Sequence, residues 1–467
     1  MKSQSPRLTR ERLEELSHAD LVELVLVLLD RIDQLTARVN ELEAQINKNS
    51  KNSNKPPSSD GLKRQAAQPR QAGQRPQGGQ QGHLGHSLMM RPSPDHVEHH
   101  GVEGYCVCGL ALSESLITLG ERRQQWDIPA PHIEVTEHRQ LIATCRCGKV
   151  HKGEFPSSLP PYISYGARLK AYTVGLVQGH FISLARVTEI VSDQYGVKPS
   201  DGSVQRWISQ ASKNLTTTYT GIGETISNSA VAHFDESGIR AQGKTQWLHV
   251  AATTEAVYYT AHAKRGQEAM NVLPVFNGVA VHDHWKPYFR FDHVLHSLCG
   301  AHLLRELNAF DETLQHRWPV QLKQVLIDAK NAVAQAKEAK QTSLPPEQIA
   351  DLKQRYEQWL NYGLRIFSER PKINKQQGKG KQHPARNLLC RLRDFKDSVL
   401  RFIERFDVPF DNNAAERAVR PVKVKLKVAG GFRAMGGAEA FCVIRSVWET
   451  DKLHKQNPFE TLRLVFG

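Results

Sequence analysis

At 467 residues the chain is long enough for about three domains and at least one sizeable core. Its 62 Lys and Arg against 48 acids leave a formal charge of +14, which points to a polyanionic partner, nucleic acid first. The charged N-terminus argues against a signal peptide, and no apolar run approaches the roughly 18 residues of a membrane span. Seven cysteines, four of them in two tight pairs, suit metal or free thiols rather than a disulfide framework. The expectation is a cytoplasmic protein with no membrane partner.

Residues 8–47 carry a seven-residue repeat. Leu21, Leu28, Leu35 and Leu42 share one heptad position, and Val25, Ile32, Val39 and Ile46 follow four residues after each. Leu at d with β-branched residues at a favours a parallel two-stranded coiled coil, hence a homodimer. Residues 48–95 then lose their apolar side chains to Asn, Ser, Gln, Gly and Pro with scattered Lys and Arg, the composition of a flexible basic linker. Within 96–156 stand Cys106-Val-Cys108-Gly and Cys145-Arg-Cys147-Gly. Four thiolates in two pairs suit a structural tetrahedral Zn²⁺, and a Gly after each pair permits the tight turn of a knuckle. The alternative is free cysteines.

Residues 160–220 read as helices, with 184–195, Gly196 to Ser200 and 201–211 arranged as a helix-turn-helix. Arg206 and Lys213 lie on the polar side of its second helix, placed for phosphates or base edges. The core is expected in 228–310 and 407–455. Short β-branched runs end on Asp235 and on Asp283, two further strand-like segments (245–253 and 256–263) lie between them, and 266–276 reads as a crossover helix. Two carboxylates at the ends of neighbouring strands meet the demand of a divalent-metal site for hard oxygen ligands. Glu416, in D-N-N-A-A-E-R-A-V-R-P on a helix capped by Asp411 or Asn412, is the candidate third acid. Glu236 beside Asp235, and Asp292 beyond Asp283, are the rival acids. Between Asp283 and Glu416, helical stretches at 320–340, 346–369 and 385–406 make 311–406 a helical insertion. Past Glu416, V-K-V-K-L-K-V alternates like a strand with Lys423, Lys425 and Lys427 on one face, and 456–467 is left as a C-terminal tail.

Several motifs together carry a resemblance: N-K-N-S-K-N-S-N-K-P-P-S-S-D-G (47–61), G-G-Q-Q-G-H-L-G-H (78–86), F-D-E-S-G (234–238), C-G-A-H-L-L-R-E-L (299–307) and D-N-N-A-A-E-R-A-V-R-P (411–421). Along nearly its whole length the chain resembles the IS66-type transposases of bacterial insertion sequences. The resemblance implies a multidomain α/β protein whose RNase H-like core carries a D-D-E triad, here Asp235, Asp283 and Glu416, holding two Mg²⁺ or Mn²⁺ ions. It implies cleavage at terminal inverted repeats of double-stranded DNA, transfer of the freed 3′-OH into target DNA, and small accessory proteins as partners. The family usually spaces its first cysteine pair C-x-x-C, so the C-x-C of this chain is a departure that leaves room for His99, His100 or His151 among the zinc ligands. Lys286, His302, Arg305, Arg420, Lys423 and Lys425, with Arg240 and Arg417, are the candidate phosphate contacts near the acids. A hydrolysis-only nuclease and a catalytically dead DNA-binding protein are the alternatives.

Overall fold

The computed structural model describes residues 88–101, 104–109, 119–156, 159, 162–314, 316–367 and 382–467, together with scattered positions between 17 and 39. Two compact units result, Leu62–Val135 and the remainder, Met1–Gly61 with Thr136–Gly467.

In the smaller unit, Arg91 and Gln124 exchange hydrogen bonds (2.7 and 2.8 Å) and the Arg91 guanidinium lies over Trp126. The Cys106–Gly109 turn also belongs to it. In the larger unit, the described part of the N-terminal segment is helical, and the heptad residues Val25, Leu28, Ile32, Leu35 and Val39 are all exposed. Leu42 and Ile46 lie outside the described residues. A short antiparallel hairpin, β1 (Ile142–Thr144) with β2 (Val150–Lys152), carries the second cysteine pair at its turn.

Helices α1 (Ala167–Val174), α2 (Leu184–Tyr195), α3 (Asp201–Asn214) and α4 (Thr216–Ser227) come next. The α2–α3 junction forms as its sequence requires. Gly196 takes the left-handed conformation at φ 68° that ends α2, and Ser200 caps α3 by accepting the Ser203 N–H. Beyond them lies a five-stranded sheet of order β5-β4-β3-β6-β7, made of β3 (Val231–Ala241), β4 (Lys244–Ala252), β5 (Val257–His262), β6 (Val279–His282) and β7 (Leu295–Leu298). β3, β4 and β5 are an antiparallel meander; β6 and β7 run parallel to β3. Gln242 and Gly243 both have positive φ (53° and 70°), the signature of a two-residue hairpin turn whose twist matches that of its strands.

α5 (Gly300–Leu314), α6 (Arg317–Glu338), α7 (Pro346–Ile366), α8 (Pro384–Asp394) and α9 (Lys396–Glu404) pack against one another and against the β6–β7 side of the sheet through Val279, Val281 and Leu298. Then come α10 (Asn413–Ala429), α11 (Met435–Leu453) and α12 (Pro458–Val465). Val419 and Val422 of α10 and Phe441 of α11 pack on Ile239, Leu248 and Tyr259 of the meander. On another core, Phe234 and Ala280 meet Trp207 and Ile226 of α3 and α4 together with Trp448 of α11. The 165–227 helices therefore share their hydrophobic interior with the sheet.

Five local expectations give way to tertiary structure. The first run does not end on Asp235: β3 continues past it to Ala241, paired with β4 throughout. Residues 266–276 form two short 3₁₀ turns, Gln267–Ala269 and Leu273–Val275, instead of a crossover helix, since Pro274 lacks the N–H a helix interior requires. The lysine-alternating segment is no strand: it is the second half of α10, which runs through Pro421. Ala415, Ala418, Val419 and Val422 are buried at helical spacing, and that face outweighs a period of two over the lysines. Residues 385–406 divide into α8 and α9, and the expected tail contains α12, whose Leu462 is buried beside Trp448.

Candidate active site

Parallel pairing of β3 with β6 places the first two acids level. His233 stands opposite Val281 in the register; two residues further along each strand stand Asp235 and Asp283. Adjacent strands lie about 4.8 Å apart, so the carboxylates leave the sheet side by side at the carboxyl end of β6. Asp235 accepts the Glu236 N–H at 2.8 Å, and Asp283 accepts the Trp285 N–H at 2.9 Å, which turns the chain away from the sheet. Burial, then the neighbouring Glu236 and Asp283 charges, push the Asp235 carboxyl up to about 8, against a partial offset from the Lys423 ammonium.

Glu416 is delivered from the far end of the chain by a clasp of two residues. The buried Asn412 side chain donates to the Phe234 carbonyl at 2.8 Å, and its Oδ1 lies 3.0 Å from His233 Nδ1, so α10 starts against the strand that bears Asp235. The Asn412 N–H bonds Cys299 Sγ at 3.2 Å, while the Cys299 N–H bonds the His282 carbonyl, next to Asp283, at 2.9 Å. Gly300 donates to the Phe410 carbonyl at 2.8 Å, and a Cβ there would come within 2.3 Å of the Phe410 ring. Glu416 sits one turn into α10, where the helix dipole favours a carboxylate. Its Oε1 is 3.5 Å from His302 Nδ1 and 4.0 Å from Cys299 Sγ, and its Oε2 is 3.8 Å from Arg305. Ligand atoms of Cys299, His302 and Glu416 all lie within 4.8 Å of one another. Burial holds the His302 imidazole below its usual range, while Glu416 and, more weakly, Asp283 favour its charged form.

Glu236 is differently engaged. Its side chain is 3 % exposed, receives Arg265 at 2.6 Å and accepts the Tyr288 hydroxyl at 2.7 Å. The Arg265 guanidinium in turn lies 4.7 Å from the Trp247 ring and 4.3 Å from the Trp285 ring. Asn412 and Cys299 already stood in the motifs that carry Glu416 and His302, whereas nothing in the spacing of Arg265 or Tyr288 marked them as neighbours of the acids; these meet only through the sheet register and the return of the chain.

Of the basic candidates, Lys423 acts on Asp235, and His302 and Arg305 contact Glu416. Lys286, Arg417 and Arg420 are exposed, as are Arg206 and Lys213 on α3. Lys425 turns back on its own helix end, with Nζ 3.2 Å from the Gly430 carbonyl and 3.9 Å from the Phe432 ring centre, and burial lowers it to about 8. The two cysteine turns are built alike. Gly109 N–H bonds Cys106 O and Gly148 N–H bonds Cys145 O, both at 2.8 Å, with the glycines at φ 84° and 87°. All four cysteines are exposed; Cys106 and Cys108 belong to the smaller unit, Cys145 and Cys147 to the larger.

An antiparallel meander continued by two parallel strands, with helices packed against it and acids level on adjoining strands, is a mixed α/β arrangement compatible with an RNase H-like core. The chain belongs to the IS66 family of transposases: the family model described as "Transposase IS66 family" matches residues 163–440, more than half its length. A second match, to a family of unknown function, covers residues 3–89. No curated protein matches the chain. Among the described residues, no helix is long and apolar enough to cross a membrane.

Proposed function

We propose that the chain is a catalytically active transposase that binds the terminal inverted repeats of its element, cleaves there, and joins the freed 3′-OH to target DNA. Asp235, Asp283 and Glu416 are the residues to hold two Mg²⁺ or Mn²⁺ ions. The observation that carries the reading is the level pair Asp235 and Asp283, where burial and then the Glu236 and Asp283 charges raise the Asp235 carboxyl to about 8. Hard oxygen donors at a strand end fit such ions, and carboxylates that bridge them are what two-metal phosphoryl chemistry uses. When bound, the ions would activate the attacking water or 3′-OH and steady the leaving oxygen.

The remaining work falls to the chain's own groups. Asn412 and Cys299 fix the position of Glu416, and Glu236, tied to Arg265 and Tyr288, supports the Asp235 strand instead of serving as a ligand. His302, Arg305 and Lys423 are positioned to meet phosphate oxygens at the reacting centre, whereas the exposed Arg206, Lys213, Lys286 and Arg420 contact the duplex further out. Exposed heptad positions of the N-terminal helix support a homodimer that handles two transposon ends together, with accessory proteins of the element as further partners. Each unit carries one Cys-x-Cys-Gly turn with exposed thiols, Cys106 and Cys108 in one and Cys145 and Cys147 in the other, and each pair offers thiolate ligands to a structural Zn²⁺.

The test is a strand-transfer assay with Mg²⁺ and oligonucleotides carrying the terminal repeats that flank the coding sequence. The wild-type chain should cut and join. Asp235→Ala should lower cleavage by at least about 10³-fold, as loss of a metal-ion clamp does, and still bind the oligonucleotide. Cutting without joining would leave a hydrolytic nuclease, and full cleavage by the variant would remove Asp235 from the site.

A further inference from the structure

The proposed mechanism gives Cys299 and His302 supporting parts beside Glu416 and leaves the electron pairs of the Cys299 sulfur and of His302 Nδ1 unused as metal ligands. Cys299 is 1 % exposed, and His302 Nδ1 is buried without a hydrogen-bond partner. An orphaned imidazole nitrogen and a buried sulfur, both facing one carboxylate oxygen, form a donor set of a different kind from three carboxylates. Carboxylate oxygens suit Mg²⁺ and Mn²⁺; a sulfur–nitrogen–oxygen set suits a thiophilic ion.

We propose that Cys299, His302 and Glu416 form a second metal site, selective for a thiophilic divalent ion such as Zn²⁺, whose occupation takes Glu416 away from Asp235 and Asp283. Metal–ligand lengths near 2.3 Å to sulfur and 2.0–2.1 Å to nitrogen and oxygen put tetrahedral ligand atoms about 3.4–3.6 Å apart. The observed separation of Glu416 Oε1 from His302 Nδ1 is 3.5 Å and from Cys299 Sγ 4.0 Å, so the set closes round an ion with a small side-chain adjustment. The Asn412 N–H already points at Cys299 Sγ from 3.2 Å, the outer-sphere bond that steadies a thiolate on a metal. Three protein ligands leave a fourth position for water.

The inhibitory consequence rests on Glu416 serving the Mg²⁺ reaction; the binding itself does not. One carboxylate then has two exclusive uses, and a rise in available Zn²⁺ silences the enzyme without displacing it from DNA.

Two measurements on the full-length chain test this. Co²⁺ binding, followed by thiolate-to-cobalt absorption and by equilibrium dialysis without DNA, should show one thiolate-bound ion fewer in Cys299→Ser and in His302→Gln than in wild type. The paired cysteines contribute equally to all three proteins, and Cys442→Ser, a buried cysteine elsewhere in the core, should match wild type. Zn²⁺ should inhibit Mg²⁺-supported cleavage reversibly, with a midpoint at least about tenfold higher in Cys299→Ser, each protein scaled to its own zinc-free rate. Equal ion counts and spectra in wild type and His302→Gln would overturn the site, even if Cys299→Ser failed to fold. A wild-type chain that loses the ion on mutation but never cleaves DNA would keep the site and discard the transposase reaction.

Discussion

Two regions bury charge against the same sheet and treat it in opposite ways. Along the β5 edge, α11 supplies partners. Arg445, 3 % exposed, gives Nη1 to the Gln178 and Gly179 carbonyls (3.4 and 2.8 Å), pairs with Glu449 and lies over the Phe181 ring. Ser446 and Thr450 of the same helix accept the N–H groups of Tyr259 and Val257 at 2.9 and 3.1 Å, closing an edge strand that would otherwise offer open backbone bonds. Where Asp235, midway along β3, lies level with Asp283 just past β6, burial and then the Glu236 and Asp283 charges disfavour the Asp235 carboxylate, with the Lys423 charge as a weak offset. Matched charge in the first region holds the fold together; in the second, among the described residues, no equal counter-charge meets the acids, and Asp235 is driven toward its protonated form. Glu236 sharpens the contrast within a single strand, because it adjoins Asp235 and is nonetheless fully engaged by Arg265 and Tyr288.

The contrast can be broken from the matched side first. Arg445→Met strips the partly exposed Glu449 of its nearest counter-charge, leaving Lys452 at 4.0 Å, abandons the Gln178 and Gly179 carbonyls, and should cost about 3 kcal/mol in chemical denaturation. Glu449→Gln added to it should restore part of that loss. If Arg445→Met alone were neutral, the α11 seam would be packing only.

A smaller effect tests the clasp. Asn412→Ala removes the bonds to Phe234 and His233 and should destabilise by about 1–3 kcal/mol. By letting α10 start out of place, it should also slow cleavage by about 10²-fold, with DNA affinity little changed, as misplaced catalytic groups do. Loss of binding in step with cleavage would instead show a general unfolding.

The gentlest test is titration of the metal-free chain. Asp235 titrates near 8 in the fold against 3.8 when unperturbed, so between those values the native state holds a proton that the unfolded state has released. Its contribution therefore falls as pH rises across that window, with a slope of at most about 1.4 kcal/mol per pH unit. Asp235→Asn should flatten this part of the stability profile and gain on wild type toward pH 8. Added Mg²⁺ should raise the wild-type melting temperature more at pH 8 than at pH 6. A variant profile parallel to wild type would place the Asp235 charge in contact with solvent.

Much of the site was legible in the one-dimensional pattern, and for a physical reason. Turn and cap residues write their signals in adjacent positions, so the end of β6 before Asp283 and the Gly196 and Ser200 punctuation of α2 and α3 could be read locally, whereas β3 does not stop at Asp235 but runs on to Ala241. Where local signals competed, they misled. The Lys423–Lys427 alternation looked extended, yet Ala415, Ala418, Val419 and Val422 bury a helical face that carries the lysines with it. Residues 266–276, with Pro274 in their midst, lacked the hydrogen-bonding capacity for the helix that sheet topology alone suggested.

The sequence by itself determined the element types around the acids, the cationic balance, the heptad repeat and the family, because each is carried by residues close along the chain. Only the tertiary structure decided that Asn412 reaches β3, that Cys299 joins α10 to β6, that Arg265 occupies Glu236, and that His302 shares Glu416 with Cys299. Those pairings span up to 179 positions of chain, and no local propensity encodes them. They arise because a parallel register and a shared hydrophobic interior bring distant backbone to one point, where a few hydrogen bonds then fix which carboxylate is tied to a basic partner and which is not.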